Sequence, residues 1–184
     1  MTSHSVSTHH IALLLLVSIF AAPAFGTNPA PTAHQARFEI RFMEDMIDHH
    51  AMAVMMGEMC LDRAVHPELG GLCQNIIASQ TAEIQHMQTW LLSWYGISYA
   101  PKTSRAGMNQ LEALTGAEFE IEFMKMMSRH HTEAIEEATE CLMKAYHKEL
   151  RALCENIVKA QASEINQMRT WLCEWYGVCD ALRG

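Results

Sequence analysis

The stretch Phe42 to His50, FMEDMIDHH, returns 81 residues later as Phe123 to His131, FMKMMSRHH. A second stretch, Gln80 to Gly96, returns at the same offset. Between residues 38–96 and their counterparts, 29 of 59 positions are identical without a gap. Internal repeats decide the architecture first, because each copy is one structural unit that packs against its neighbour. The chain is therefore predicted to contain two copies of one unit.

Each copy is predicted to form two long helices joined by a tight turn. Thr32-x-x-Gln35 predicts a capping box at the start of the first helix. Apolar residues then recur at helical spacing to about Ala64. Pro67 suits the first turn of a second helix, and Gly96 suits its C-terminal cap. Two such antiparallel helical hairpins, packed together, predict an all-α four-helix bundle.

The N-terminal segment is predicted to be a secretory signal peptide. It contains no Asp, Glu, Lys or Arg, and Ile11 to Phe20 is nearly all apolar. A membrane span needs about 20 apolar residues, so an uncleaved anchor is the weaker alternative.

Thr115-x-x-Glu118 predicts a second capping box after the linker. The expected boundaries are 1–26 for the signal and 27–184 for the bundle, with repeat one at 38–96, the linker at 97–117 and repeat two at 118–177.

Composition narrows the function classes. The formal net charge is -8 and no basic cluster is present, so nucleic-acid binding is not expected. We also expect no membrane association after signal cleavage. The chain contains 14 methionines. Methionine is flexible and polarisable, which suits either an adaptable core or a surface for soft metal ions.

Six cysteines in an exported chain of this size predict disulfides. Two cysteines recur at the repeat offset and would join the helices of each hairpin near its turn. Two more occur only in repeat two, six residues apart around a helix end, and are predicted to pair with each other. Thiolate metal ligands are the alternative, but no C-x-x-C is present. The predicted pairs are Cys60–Cys73, Cys141–Cys154 and Cys173–Cys179.

The cysteine pairs also predict which residues face each other within a hairpin. If Cys60 faces Cys73, facing residue numbers sum to 133, so His50 lies opposite Glu83 and Met46 opposite Met87. The same reasoning in repeat two places His131 opposite Glu164 and Met127 opposite Met168. A carboxylate among apolar side chains needs a partner, and a buried His–Glu hydrogen bond that joins two helices would be a purely structural role.

A structural role does not explain the second, adjacent histidine in both repeats. Imidazole, thioether and carboxylate groups together form a metal-ligand set. The candidate metal ligands are Met43, Met46, His49, His50, Met52, Met56, Glu83, Met87, Met124, Met127, His130, His131, Glu164 and Met168.

The repeats disagree most on one helical face. Four methionines in repeat one correspond to four glutamates in repeat two: Met52, Met55, Met56 and Met59 against Glu133, Glu136, Glu137 and Glu140. Four glutamates predict a solvated face, so the methionine face is predicted to be exposed as well, beside His49. Such a face would suit Cu(I) or Ag(I). A subunit interface, and hence a homo-oligomer, is the competing explanation.

The doubled M-x-x-H-H and Q-x-x-E-I-x-x-M-x-x-W-L patterns resemble those of a CopM-like copper-binding family, domain of unknown function 305. The resemblance covers roughly Phe38 to Gly177. It implies a ferritin-like bundle that binds copper in a periplasmic or extracellular setting, with Cu(I) favoured and Cu(II) as an option. We expect copper buffering, sequestration or transfer, and no enzymatic activity.

Two other functions are alternatives. One is a metal-free helical interaction module that uses the methionine face. The other is a ferritin-like metal oxidase, which needs paired Glu-x-x-His motifs. Glu83-x-x-His86 fits that motif, but its counterpart is Glu164-x-x-Gln167, so the second half of a di-iron site is missing.

Overall fold

The computed structural model describes residues 28–104 and 108–179, so the predicted signal segment lies outside the described residues. In that part of the chain the regular structure is entirely helical, and the predicted all-α bundle is confirmed. The helices are α1 Ala33–Arg63, α2 Pro67–Tyr95, α3 Asn109–Glu112, α4 Gly116–Lys144 and α5 Lys148–Tyr176.

The helix ends follow the local sequence, with one exception. The Thr32 hydroxyl accepts a hydrogen bond from the Gln35 amide at 3.2 Å. Gly96 takes the left-handed conformation at the end of α2, with φ 69°. Thr115 is the N-cap of α4, but its side chain makes no capping hydrogen bond, so the predicted second capping box is wrong. The next residue, Gly116, has φ 59°, and this left-handed start differs from the regular first turn that a capping box needs.

All three predicted disulfides are present. The two repeated bridges, Cys60–Cys73 and Cys141–Cys154, are fully buried and join the two helices of each hairpin beside its turn. The third bridge, Cys173–Cys179, closes the turn that follows α5. Each hairpin is therefore cross-linked within itself.

The hairpins meet mainly through α1 and α4, whereas α2 and α5 touch only slightly. One core cluster contains the first half of α1 and the second half of α4, so these helices are antiparallel. The other core cluster contains the opposite halves. The bundle thus has two related cores, one at each end, with the middle of α1 and α4 between them.

A buried carboxylate on each hairpin is bonded to the turn of the other. Glu39 accepts hydrogen bonds from the backbone amides of Tyr146 and His147 at 2.7 and 2.8 Å. It also bonds His147 Nδ1 at 2.6 Å and accepts from the Tyr95 hydroxyl. Trp94 stacks on His147 with ring centroids 3.8 Å apart. We call these residues the Glu39 cluster, and it joins α1 to the start of α5.

The Glu120 cluster repeats this arrangement at the opposite end. Glu120 accepts from the amides of Val65 and His66 at 2.6 and 2.8 Å, and it bonds His66 Nδ1 at 2.6 Å. Tyr176 donates its hydroxyl to Glu120, and Trp175 stacks on His66. Burial alone would raise the pKa of each carboxyl, but the tyrosine, amide and histidine hydrogen bonds outweigh burial and hold both pKa values below the usual range.

The linker is partly helical and packs against the bundle. It contains α3, and it returns to the bundle so that Met108 and Leu111 are buried in the same core cluster as Met56. The Arg63 guanidinium donates to the carbonyls of Leu111, Glu112 and Leu114, at 2.7 Å for Glu112. These bonds fix the linker segment across one face of α1.

Candidate metal centre

One histidine–glutamate pair joins the two helices of each hairpin, and both pairs match the register predicted from the cysteines. The His50 Nε2 to Glu83 Oε2 distance is 2.7 Å, and the His131 to Glu164 distance is the same. Both histidine side chains are fully buried. In the neutral tautomer whose Nε2 donates to the carboxylate, Nδ1 carries a lone pair. Nδ1 of both histidines is buried without a hydrogen-bond partner, so in that tautomer each ring has one nitrogen that can bind a metal ion.

The second histidine of each pair lies at the junction of the hairpins. The rings of His49 and His130 are tilted by 31° and their centroids are 3.6 Å apart. None of their four ring nitrogens makes a hydrogen bond of ordinary length and angle, although each ring lies close enough to the backbone of the other histidine to interact with it weakly. The sequence placed each of these histidines on its own helix but did not predict that they meet, because their contact depends on how the hairpins pack.

Burial and the neighbouring imidazoles keep this stacked pair uncharged. The pKa of His49 is lowered to about 4 by burial, then by His50 and His131. The pKa of His130 is lowered to about 2 by burial, then by His49, His131 and His50. Both rings are therefore neutral near pH 7. Neutral imidazole is the form that binds metal ions.

The buried polar side-chain atoms without hydrogen-bond partners are concentrated in one layer of the bundle. In residues 28–104 and 108–179, every such atom belongs to one of the four histidines or to a glutamine or serine about one helical turn from a His–Glu pair. We call the residues that carry these atoms the polar belt. Buried polar groups are normally paired, so a set of unpaired ones needs an explanation such as a bound ion or water. The residues with these atoms are His49, His50, Gln80, Ser128, His130, His131 and Gln161.

The six candidate methionines of the repeated motifs are fully buried on the two sides of the belt. One core contains Met43, Met46 and Met87, and the other contains Met124, Met127 and Met168. Their role as ligands stays a prediction. Their position would let thioethers approach the belt from within the bundle.

The predicted exposed methionine face is wrong. Met56 is only 2 % exposed, and Met52, Met55 and Met59 are partly buried against the same core. The reason is the linker, because Met108 and α3 cover this side of α1. In repeat two the corresponding face is solvated as predicted, since its four glutamates are exposed: Glu133, Glu136, Glu137 and Glu140.

The histidine that lines a cleft with Met52 and Met56 is His130, and two further methionines complete the lining: Met108 and Met126. His49 contacts the His130 ring but is not among the lining residues. The cleft has a volume of about 210 Å³. We call it the methionine cleft. Met108 and Met126 were missed because neither belongs to the repeated motif, and the only sequence signal for them was the methionine excess.

The environment of His49 is acidic instead. The distance from His49 Nε2 to Glu133 Oε2 is 3.8 Å. Nearby, the pKa of the Glu137 carboxyl is raised by burial and then by the charges of Asp45, Glu133 and Glu140. Asp45, Glu133 and Glu140 therefore lie close enough to Glu137 to interact with it, and of these four Glu133 is the one in contact with His49. This acidic face and the methionine cleft lie on related positions of the two repeats.

The donor set favours a soft ion over a hard one. Among the described residues, no three His, Cys, Asp or Glu side chains are grouped to hold one metal ion. The belt nevertheless supplies neutral imidazole nitrogens that lack partners, and thioethers lie on its flanks. Imidazole together with thioether suits copper, with Cu(I) preferred by the sulfur ligands. The residues present therefore fit copper.

Comparison with known proteins identifies the family of this chain. A family profile described as domain of unknown function, DUF305, matches residues 39–172. The chain belongs to the DUF305 family. Among curated proteins, no match to this chain was found.

Several solved structures are similar to this chain. CopM in the Cu(I)-bound form shares 34% identity, covers 76% of this chain and 98% of its own, and has a TM-score of 0.68. CopM has also been solved in apo, Ag-bound and Cu(II)-bound forms. A DUF305 protein from Streptomyces coelicolor, described as secreted, shares 26% identity over 74% of this chain and 91% of its own, with a TM-score of 0.67.

Proposed function

We propose that this chain is an exported copper-binding protein that buffers, sequesters or transfers copper. The observation that carries the proposal is the polar belt, where four histidines hold ring nitrogens without hydrogen-bond partners and two of them, His49 and His130, are neutral near pH 7. Such atoms are costly to bury unless something binds them. The 34% identity to CopM, which has been solved with Cu(I), Cu(II) and Ag bound, supports copper as that ligand.

The proposed ligands divide by chemical softness. The histidine nitrogens can bind either oxidation state of copper, whereas the flanking thioethers favour Cu(I). Cu(I) is therefore the proposed main cargo and Cu(II) a second one. The two buried His–Glu pairs would orient His50 and His131, since a carboxylate bonded to one ring nitrogen fixes the ring and increases the basicity of the other nitrogen.

We also propose export to the periplasm or the extracellular space. Three disulfides suit an oxidising compartment, and residues 1–26 have the composition of a signal peptide. None of the described helices is both long and apolar enough to cross a membrane.

Binding without catalysis is the proposed mode of action. A ferritin-like oxidase would use Glu83 and His86 as ligands to one iron, but Glu83 is bonded to His50. His86 is exposed and stacks near Trp90. This arrangement supports a role for Glu83 in positioning His50.

The test is to replace His49, His50, His130 and His131 together by glutamine and to measure bound copper. Glutamine can still donate a hydrogen bond to Glu83 or Glu164, which limits the loss of stability. We expect most copper binding to disappear in a protein that remains helical. The matched control is His34→Gln with His86→Gln, since both residues are exposed. Full copper capacity in the fourfold variant would overturn the proposal.

A further inference from the structure

We infer that the methionine cleft is a distinct binding site for a soft monovalent ion, and that Met108 of the linker is one of its ligands. The inference rests on the proposed copper function and adds a location, a ligand set and an ion class to it. The site would bind Cu(I) or Ag(I) from one side of the polar belt only.

Three separate parts of the chain build the cleft. Helix α1 supplies Met52 and Met56, the linker supplies Met108, and α4 supplies Met126. The fifth donor is His130, whose ring nitrogens are both buried without hydrogen-bond partners. Four thioethers and one free imidazole thus line a space of about 210 Å³. A cleft of that size accommodates an ion with neutral ligands around it.

Ordinary packing explains this arrangement less well. Methionine often fills gaps in a core, and Met56 and Met108 are buried in one. All four methionines nevertheless also line the cleft beside the His130 imidazole. The repeat offers an internal comparison, because three of the methionines have exposed acidic counterparts: Glu133 for Met52, Glu137 for Met56 and Asp45 for Met126. The concentration of thioethers is therefore particular to the side that the linker covers.

Charge also favours a soft monovalent ion. Two ionisable side chains also line the cleft, Arg129 and Glu133. Both are largely exposed, and Arg129 is already paired with Glu122 at 3.6 Å. Exposed charges interact weakly in water, so the cleft offers little electrostatic gain to a divalent ion. The neutral sulfur atoms must supply the binding energy, and thioethers favour Cu(I) over hard divalent cations.

The test uses Ag(I) as a diamagnetic probe with ¹³C-methyl methionine NMR on the full chain. The first equivalent of Ag(I) is expected to shift the methyl signals of Met52, Met56, Met108 and Met126. In the double variant Met108→Leu and Met126→Leu, Ag(I) and Cu(I) affinity should fall about tenfold or more, since even outer-shell changes weaken metal affinity by about 10–100-fold. Cu(II) affinity should change less than about twofold, because Cu(II) does not prefer thioethers.

The control is Met143→Leu, since Met143 is 75% exposed on α4 and lines none of the clefts described above. Leucine keeps the apolar volume, so a packing role would survive the substitution while a ligand role would not. Unchanged Ag(I) affinity in the double variant, with copper still lost in the fourfold histidine variant, would overturn this inference alone. A wild-type protein that binds no copper at all would overturn both proposals.

Discussion

The two repeats meet at one pair of stacked imidazoles, yet they surround these rings with different chemistry. His130 opens onto a cleft lined mainly by thioethers, whereas His49 lies 3.8 Å from Glu133, which interacts with the carboxyl of Glu137. Glu133 also lines the cleft, so the two environments adjoin at this residue. The helices that hold both rings are related residue by residue. The contrast therefore comes from a few substituted side chains and from the single linker.

What the repeats keep explains why this divergence is tolerated. The kept residues form the buried contacts, which are the His–Glu pairs, the repeated disulfides and the Glu39 and Glu120 clusters. The four positions where methionine in repeat one corresponds to glutamate in repeat two follow the histidine pair along α1 and α4. There a carboxylate can be solvated and a methionine can be covered by the linker. Ligand chemistry can thus change on one side while the bundle stays the same.

The largest effect is expected from replacing the buried glutamates that both repeats share. Glu39→Ala and Glu120→Ala each remove a buried carboxylate that accepts two backbone amides and a histidine. We expect each to lower the free energy of unfolding by about 3–5 kcal/mol, as for breaking other buried ionic pairs. Glu39→Ala should be the more costly, because the partner His147 is 4% exposed and His66 is 34% exposed. Urea unfolding measures both.

The control for this experiment is Glu118→Ala, on an exposed residue in the first turn of α4. That change should cost well under 1 kcal/mol, since exposed sites rarely contribute more. If the Glu39 and Glu120 variants were equally mild, the two clusters would not be what holds the hairpins together.

The features within each hairpin could be predicted from the sequence because they depend on local chemistry. Helical periodicity, the left-handed Gly96 and the repeated cysteine spacing fix the length and register of a hairpin. That register in turn predicted that His50 faces Glu83, and the two lie 2.7 Å apart. The buried methionines of the motif follow from the same register.

The features between hairpins could not be predicted in this way. The contact of His49 with His130 depends on the antiparallel packing of α1 on α4, which neither copy specifies alone. The burial of Met56 depends on the path of the linker. Met108 lies in this linker, which has no second copy in the repeat. Glu39 and Glu120 recur at the repeat offset and were a usable signal, but their histidine partners belong to the opposite hairpin.

A second test concerns acid and the stacked pair in the metal-free protein. Because the folded-state pKa values of His49 and His130 lie below 6.5, the unfolded chain binds protons first as the pH falls. Stability is therefore lost below about pH 6.5. The His49 shift alone corresponds to about 2–3 kcal/mol by pH 4.5. The Glu39 and Glu120 carboxyls, whose pKa values are lowered, contribute losses only at more acidic pH.

Urea unfolding at several pH values between 7 and 4.5 measures this loss. Replacing both His49 and His130 by glutamine should flatten the profile, whereas His86→Gln should leave it unchanged, since His86 is exposed. A bound metal ion requires neutral imidazoles, so copper should delay the loss to lower pH. An acid profile identical in wild type and double variant would mean that other groups cause the instability.

The smallest expected effect tests the acidic side of the comparison. Glu133→Gln with Glu137→Gln removes the carboxylate that lies 3.8 Å from His49 and a second one that interacts with it, while the side chains keep their size. Cu(II) affinity, measured by competition with a chelator, should fall about two- to fivefold, since exposed charges contribute modestly. Cu(I) affinity should hold, because hard oxygen ligands add little for that ion.

Glu136→Gln is the matched control, as it is exposed on the same helix and is not among the charges that raise the pKa of Glu137. If the double variant weakened Cu(I) more than Cu(II), the two sides of the belt would not differ in ion preference, and the divergence between repeats would need another explanation.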